Sequence, residues 1–259
     1  MALFTDADIV TLNDLLPFES SLVQIASSHG IDVQTKIELS ISTIQDKLML
    51  WLVNVGASDP QWINRRLLGL STVVVTPTLH KWLCFDSLSR FFAEAYNTQL
   101  NTRFEGKWTE YKQNASDAAE MVFMSGIGIV YKPLPRPGMP VVSAGTGDPS
   151  PEALFVQAAW VDAAGNESAL SPVNGLILSG VLDLTVAMKE GVVLAPPSAI
   201  GWNLYASNTE MNLTRQNTSL MTIGQPWHLP TSGLVNGPPA LNGQVPDYYI
   251  TLSRPVQRG

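Results

Sequence analysis

The sequence predicts an α+β chain of several domains: an N-terminal helical bundle, an extended arm and a C-terminal antiparallel β-sandwich. Two observations carry this prediction. Upstream of a proline cluster the apolar residues step by three and four, the period of an amphipathic helix; downstream they alternate at every second residue. Between the two lies "YKPLPRPGMP", whose Pro133, Pro135, Pro137 and Pro140 cannot sit inside a helix. The boundaries that follow are 1–130 for the bundle, 131–150 for the proline-rich arm and 151–259 for the sandwich.

The first segment, Asp6 to Ser28, reads as helical with a break near Pro17. "VQTKIELSISTIQDKLMLWLVNVG" follows, with Ile37, Ile41, Ile44, Leu48, Trp51 or Leu52, and Val55 on one stripe, Asp32 as N-cap and Gly56 as stop. "SDPQWINRRLLGLS" predicts a short helix begun at Ser58, with Pro60 in its first turn. Pro77 opens the next long helix, capped by Thr76 or Thr78, with Leu88, Phe91, Phe92, Ala95 and Tyr96 on its inner face. A last helix runs from Phe104 to Met124, where Phe104, Trp108, Tyr111, Ala115, Ala118 and Val122 step by four and three. Short connections between such stripes favour a bundle of four or five helices.

"GIGIVY" follows a helix rather than opening one and lacks a lysine, so it reads as a turn into a strand and not as a phosphate loop. In "EALFVQAAWV" Leu154, Val156, Ala158 and Trp160 face one way, and Phe155, Gln157 and Ala159 the other. "DAAGNE" supplies a turn in which Gly165 and Asn166 tolerate positive φ. "LDLTVAM", "GWNLYASN" and "PDYYITLSR" alternate as well, which is the spacing of a small antiparallel sandwich with Trp160 and Trp202 in its core.

Charge limits the function classes. The net charge of −7 divides into −3 over residues 1–140 and −4 over residues 141–259, and there is no run of five basic residues. Tight phosphate binding through counterion release is therefore not expected, and any DNA contact would be non-adhesive. An acidic N-terminus, no apolar run of membrane-spanning length and a single cysteine, Cys84, point to a soluble protein made in a reducing cytoplasm, without membrane insertion. Cys84, in "HKWLCFDSL", reads as a buried small side chain rather than a reactive thiol.

No catalytic, cofactor-binding or metal-binding residue is assigned, and the chain is not expected to be an enzyme. His29, His80 and His228 are scattered and fit structural roles. Asp6, Asp8 and Asp14 cluster in "TDADIVTLND" as a possible cation site, but acids in a first helical turn are already explained by the helix dipole. The glycosylation-like tripeptides at Asn166, Asn212 and Asn217 have no secretory signal beside them and read as chance matches.

"AAWVDAAGNESALSP" is similar to the hairpin of fibronectin-type-III-like and Ig-like modules. "GWNLYASNTEMNLTRQN" followed by "GQPWHLPTSGLVNG" resembles the strand and trailing loop of sandwich modules on structural proteins of tailed phages, a likeness covering roughly residues 150–250. The helical half, with "WTEYKQNASDAAEMV" and a proline-containing arm after it, resembles the head–tail adaptor (connector) proteins of tailed bacteriophages. The chain departs from the commonest adaptors by carrying the sandwich at all.

The resemblance implies a structural protein of the virion neck, at the head–tail interface and assembled in the host cytoplasm. Copies would form a homo-oligomeric ring, dodecameric to match the portal, contacting the portal protein and a tail tube or nozzle protein. DNA would pass through during ejection without specific binding, as suits a mildly acidic channel. The alternative is a tail, fibre or capsid accessory protein whose sandwich binds a host-surface glycan or another virion protein. Trp202, Tyr205, Trp227, Tyr248 and Tyr249 would then include sugar-stacking rings, although packing in the core explains them more simply.

Overall fold

A computed structural model describes residues 1–54, 69–99, 102–145, 153–177, 183–188 and 195–251. Helices come first and antiparallel sheets after them, a mixed α+β fold. The chain divides into two compact units, each completed by a piece from the far end of the chain. One comprises Ala7–Tyr131 with Pro246–Gly259, and the other Met1–Asp6 with Lys132–Val245.

The first unit is helical. Among the described residues its α-helices are α1 (Leu12–Leu15), α2 (Leu22–His29), α3 (Val33–Asn54), α4 (Pro77–Gln99) and α5 (Glu105–Ser125). The expected break near Pro17 separates α1 from α2, and α2 ends at Gly30 with φ +65°. Asp32 caps α3: Oδ1 accepts the Gln34 N–H at 3.0 Å and Oδ2 the Thr35 hydroxyl at 2.6 Å. The Thr35 bond holds the Asp32 carboxyl below its ordinary range. Pro77 opens α4, where its missing N–H costs nothing. The expected helix at Ser58 and the stop at Gly56 lie outside the described residues.

The inward stripes match the sequence period. Ile37, Ile44, Leu48 and Trp51 are buried on α3, Leu88, Phe91, Phe92 and Ala95 on α4, and Tyr111, Ala115, Ala118 and Val122 on α5. Between α4 and α5, Phe92 stacks on Tyr111 with centroids 5.4 Å apart, and Tyr96 on Trp108 at 5.6 Å. "GIGIVY" yields strand β1 (Ile127–Ile129), entered through Gly126 at φ +97°.

The strand expected in "PDYYITLSR" forms as β9 (Tyr248–Ile250), but it pairs antiparallel with β1 in the helical unit rather than joining the sandwich. Alternation marks a strand without naming its partner. Here the partner is set by Gly128, where an added Cβ would lie 2.6 Å from the Pro246 ring, and by Asp247, whose carboxylate accepts the Tyr131 N–H at 2.7 Å.

The second unit holds two antiparallel sheets. One has the order β2 (Val141–Gly145), β5 (Asp183–Ala187), β8 (Trp227–His228). The other runs β4 (Asn174–Ile177), β3 (Ala153–Asp162), β6 (Ala199–Ser207), β7 (Thr214–Arg215). Both sheets contribute to one core, in which Leu154, Val156, Ala158 and Trp160 meet Leu184, Val186, Trp202 and Leu204. Trp160 lies directly opposite Trp202 in the β3–β6 ladder.

The proline segment is extended, but its residues are not all free-standing: Leu134 is fully buried in this core, and Val141–Gly145 is the strand that pairs with β5. A proline pattern reports backbone shape and is silent about where an intervening leucine goes.

The hairpin after β3 is built from side chains as much as from backbone. Asp162 Oδ1 accepts the N–H groups of Ala164 and Asn166, both at 2.9 Å, around Gly165 at φ +83°. On the return limb the Ser168 and Ser171 hydroxyls accept the N–H groups of Trp160 and Ala158 at 3.0 and 2.9 Å. Their own N–H groups donate to the carbonyls of the same two residues. The polar "GNESALS" thereby satisfies the edge of β3 until β4 takes over.

Candidate functional site

Catalysis needs ionisable groups converging beside solvent. Three polar clusters stand out. In the helical unit, His80 and Cys84 are one turn apart on α4 and Asp14 approaches from α1. His80 Nε2 lies 3.6 Å from Asp14 Oδ1, and His80 Nδ1 lies 3.8 Å from the Cys84 sulfur. The residue types are those of a Cys–His–Asp nucleophile system.

The chemistry is the reverse of one. Cys84 is fully buried, and burial first, then the negative Asp14, pushes its thiol up to about 12, whereas an attacking cysteine needs a lowered value. Asp14 is further committed to α1, where Oδ2 accepts both the N–H and the hydroxyl of Thr11 at 2.7 Å. The thiol is a packed side chain. Sequence reading missed this trio, although its local part, His80 and Cys84 four apart on a helix, stands in "HKWLC".

The second cluster surrounds Glu19, in the break between α1 and α2. It accepts from Ser21 Oγ at 2.6 Å and pairs with Lys107 Nζ at 2.9 Å, while the Tyr111 hydroxyl lies 3.3 Å away. Burial pushes the Glu19 carboxyl up, but the Ser21 and Lys107 bonds outweigh it and leave it below its ordinary value. Tyr111 is raised by burial and by Glu19. Its hydroxyl also donates to the Phe18 carbonyl at 2.9 Å, so the group pins the break to α5.

The third lies in the sheet unit. Glu167 is buried and bonded by the amide of Asn203 and the hydroxyl of Tyr205. Burial, then the Glu167 bond, raises Tyr205 well above a free phenol. Asn217 extends the network: its Nδ2 donates to Asn203 Oδ1 at 2.7 Å, and its Oδ1 accepts the Leu204 N–H at 2.9 Å. Each polar atom named here is matched to another inside the unit.

The remaining candidates disperse. Asp6 belongs to the sheet unit, before any helix, where Oδ1 accepts the Arg136 N–H at 2.8 Å and Oδ2 the Leu3 N–H at 2.7 Å. Burial raises its pKa. Asp8 and Asp14 belong to the helical unit, and among the described residues no three His, Cys, Asp or Glu side chains are grouped to hold a metal ion. His29 closes α2, edge-on to Phe104 at 5.3 Å, and His228 ends β8 beside Thr185 Oγ1 at 3.1 Å. Of the candidate stacking rings, Trp202, Tyr205 and Trp227 are buried, Tyr248 is half-buried against Tyr131, and Tyr249 is 54% exposed.

The helical unit also exposes several large apolar side chains. A cleft of about 350 Å³ runs between α4 and α5, lined by Pro77, Thr78, Lys81 and Phe85 on one side and Asp117 and Met121 on the other. Met121, which lines it, is 60% exposed, and Met124 on α5 and Leu50 on α3 are 63% and 65% exposed. No family model matches this chain and no curated protein matches it, so function rests on these surfaces and on the sequence likeness.

Proposed function

We propose that this chain is a structural subunit of a tailed-bacteriophage neck, an adaptor whose copies form a ring between the portal and the tail tube or nozzle. The observation that carries the reading is the set of large apolar side chains exposed on the long helices. Large exposed side chains such as Leu50, Met121 and Met124 are a cost to an isolated protein and a use to an assembled one. The low charged fraction, 14%, and the acidic balance fit a ring through which DNA slides without adhering. The two-sheet unit would seat the next component.

The glycan-binding alternative draws less support, because three of its five rings have no exposed face. Cryo-electron microscopy of particles carrying this chain tests the proposal. Ring density at the head–tail junction that fits the helical unit is expected, and a neck without this chain ends the reading.

A further inference from the structure

Asparagine followed by glycine is a sequence open to self-modification, because glycine leaves the next backbone nitrogen unshielded and free to swing toward the side-chain amide. The sequence holds three such pairs: Asn174–Gly175, Asn236–Gly237 and Asn242–Gly243. All three belong to the sheet unit, and their surroundings differ.

Asn174 opens β4 opposite Val156, and its side-chain amide donates to the Pro140 carbonyl at 2.8 Å. Gly175 packs against the Phe155 ring, which an added Cβ would meet at 3.0 Å. Asn236 is exposed but clamped on both flanks. Before it, the Val235 N–H donates to Gln216 Oε1 at 2.8 Å, and the Val235 carbonyl accepts from Gln216 Nε2 at 2.9 Å and Thr214 Oγ1 at 3.1 Å. After it, the Pro238 carbonyl accepts the Arg215 N–H at 2.9 Å. Asn242 has neither kind of hold. It is exposed, Leu241 before it is 61% exposed, and among the described residues neither Asn242 nor the Gly243 N–H makes a hydrogen bond. Gly243 sits at φ +73° against the Met1 backbone, where an added Cβ would lie 2.4 Å from the Met1 nitrogen, so a side chain cannot shield its own nitrogen there. Exposed backbone without hydrogen bonds opens at little cost.

We propose that Asn242 is a site of spontaneous covalent modification in the folded chain, converting through a cyclic imide to aspartate and isoaspartate while Asn174 and Asn236 persist. The Gly243 nitrogen attacks Asn242 Cγ and forms a C–N bond; its proton leaves with the side-chain NH2 as ammonia. Water then opens the ring at either carbonyl. Opening at Cγ gives aspartate. Opening at the main-chain carbonyl gives isoaspartate, in which the backbone runs through Cβ and is one carbon longer. Either product adds one negative charge to the −7 of the chain.

The extra carbon falls one residue before Gln244. That side chain is buried and anchors the arm: Oε1 accepts the Leu134 N–H at 2.9 Å, and Nε2 donates to the Lys132 carbonyl at 2.8 Å. Isoaspartate at position 242 therefore loosens Lys132 to Leu134. This inference does not rest on the neck reading.

The test incubates the full chain for days in mildly alkaline buffer, where the attacking nitrogen loses its proton more readily. Peptide mapping with isoaspartyl methyltransferase labelling should place isoaspartate at 242, forming about tenfold or more faster than at 174 or 236. Isoelectric focusing should show an acidic species that Asn242→Gln, a change at an exposed site, does not form. In urea, where the clamps are gone, all three pairs should react at comparable rates. Amide exchange at Leu134 should be faster in the aged chain than in Asn242→Gln treated alike.

An intact Asn242, or conversion at Asn174 or Asn236 that keeps pace with it in the folded chain, overturns the site. Unchanged exchange at Leu134 despite isoaspartate at 242 overturns its effect on the arm.

Discussion

The Tyr205 hydroxyl lies 2.8 Å from each oxygen of Glu167, and both residues are buried. Glu167 sits in the return limb after β3, and Tyr205 sits on β6. The bond therefore ties the hairpin to the strand on the opposite side of β3. Removing the hydroxyl leaves a buried carboxylate with only the Asn203 amide, a loss of about 1–3 kcal/mol. Tyr205→Phe should lower the denaturant midpoint accordingly, with Glu167→Gln milder because its amide oxygen can still accept from Asn203 while its NH2 faces the Tyr205 hydroxyl oxygen. An unchanged midpoint for Tyr205→Phe would show that the network is not coupled to folding.

The same bond sets a behaviour in alkali. Tyr205 and Tyr111 are both raised above the ordinary phenol value of 10.0, chiefly by burial and then by Glu167 and Glu19 respectively. Their folded values exceed their unfolded ones. The stability they contribute is thus fully present below about pH 10 and is lost as pH rises through the folded values. In an ultraviolet titration Tyr205 and Tyr111 should ionise only as the chain unfolds. Six equivalent, reversible ionisations would contradict the buried geometry.

Periodicity made the interior stripes legible, since whether Ile44 or Leu204 faces inward follows from its neighbours along one helix or strand. Partnership was not legible, because it depends on residues far apart in the chain. Tyr248–Ile250 could be read as a strand, but its pairing with Ile127–Ile129 depends on Gly128 leaving room for Pro246. Glu167 looks like a turn residue in "GNES"; it is buried because Asn203 and Tyr205 both bond to it from the other face of β6. The cleft between α4 and α5 depends on how two helices pack, which neither helix's own period states.

Gly128 gives a direct check on how the helical unit is closed. An added Cβ would stand 2.6 and 3.0 Å from two carbons of the Pro246 ring and 3.1 Å from the Thr76 methyl. A proline ring cannot rotate aside as a flexible side chain does, so the strands must part. Gly128→Ala should cost about 1–3 kcal/mol. It should also raise amide exchange at Asp247, whose N–H donates to the Ile129 carbonyl at 2.9 Å. Wild-type exchange at that amide would mean that β9 is not held against β1.

Cys84 separates a packed thiol from a working one. With its value pushed up to about 12, only about one molecule in ten thousand carries a thiolate at pH 8. The sulfur has no exposed surface through which a reagent could approach. Ellman's reagent should leave the native chain unlabelled at that pH and titrate one equivalent once guanidinium unfolds it. Cys84→Ala should cost some stability through the lost packing, and His80→Ala should not change the labelling. Rapid labelling of the folded chain, slowed by His80→Ala, would instead make Asp14, His80 and Cys84 a functioning nucleophile system and bring an enzymatic reading back.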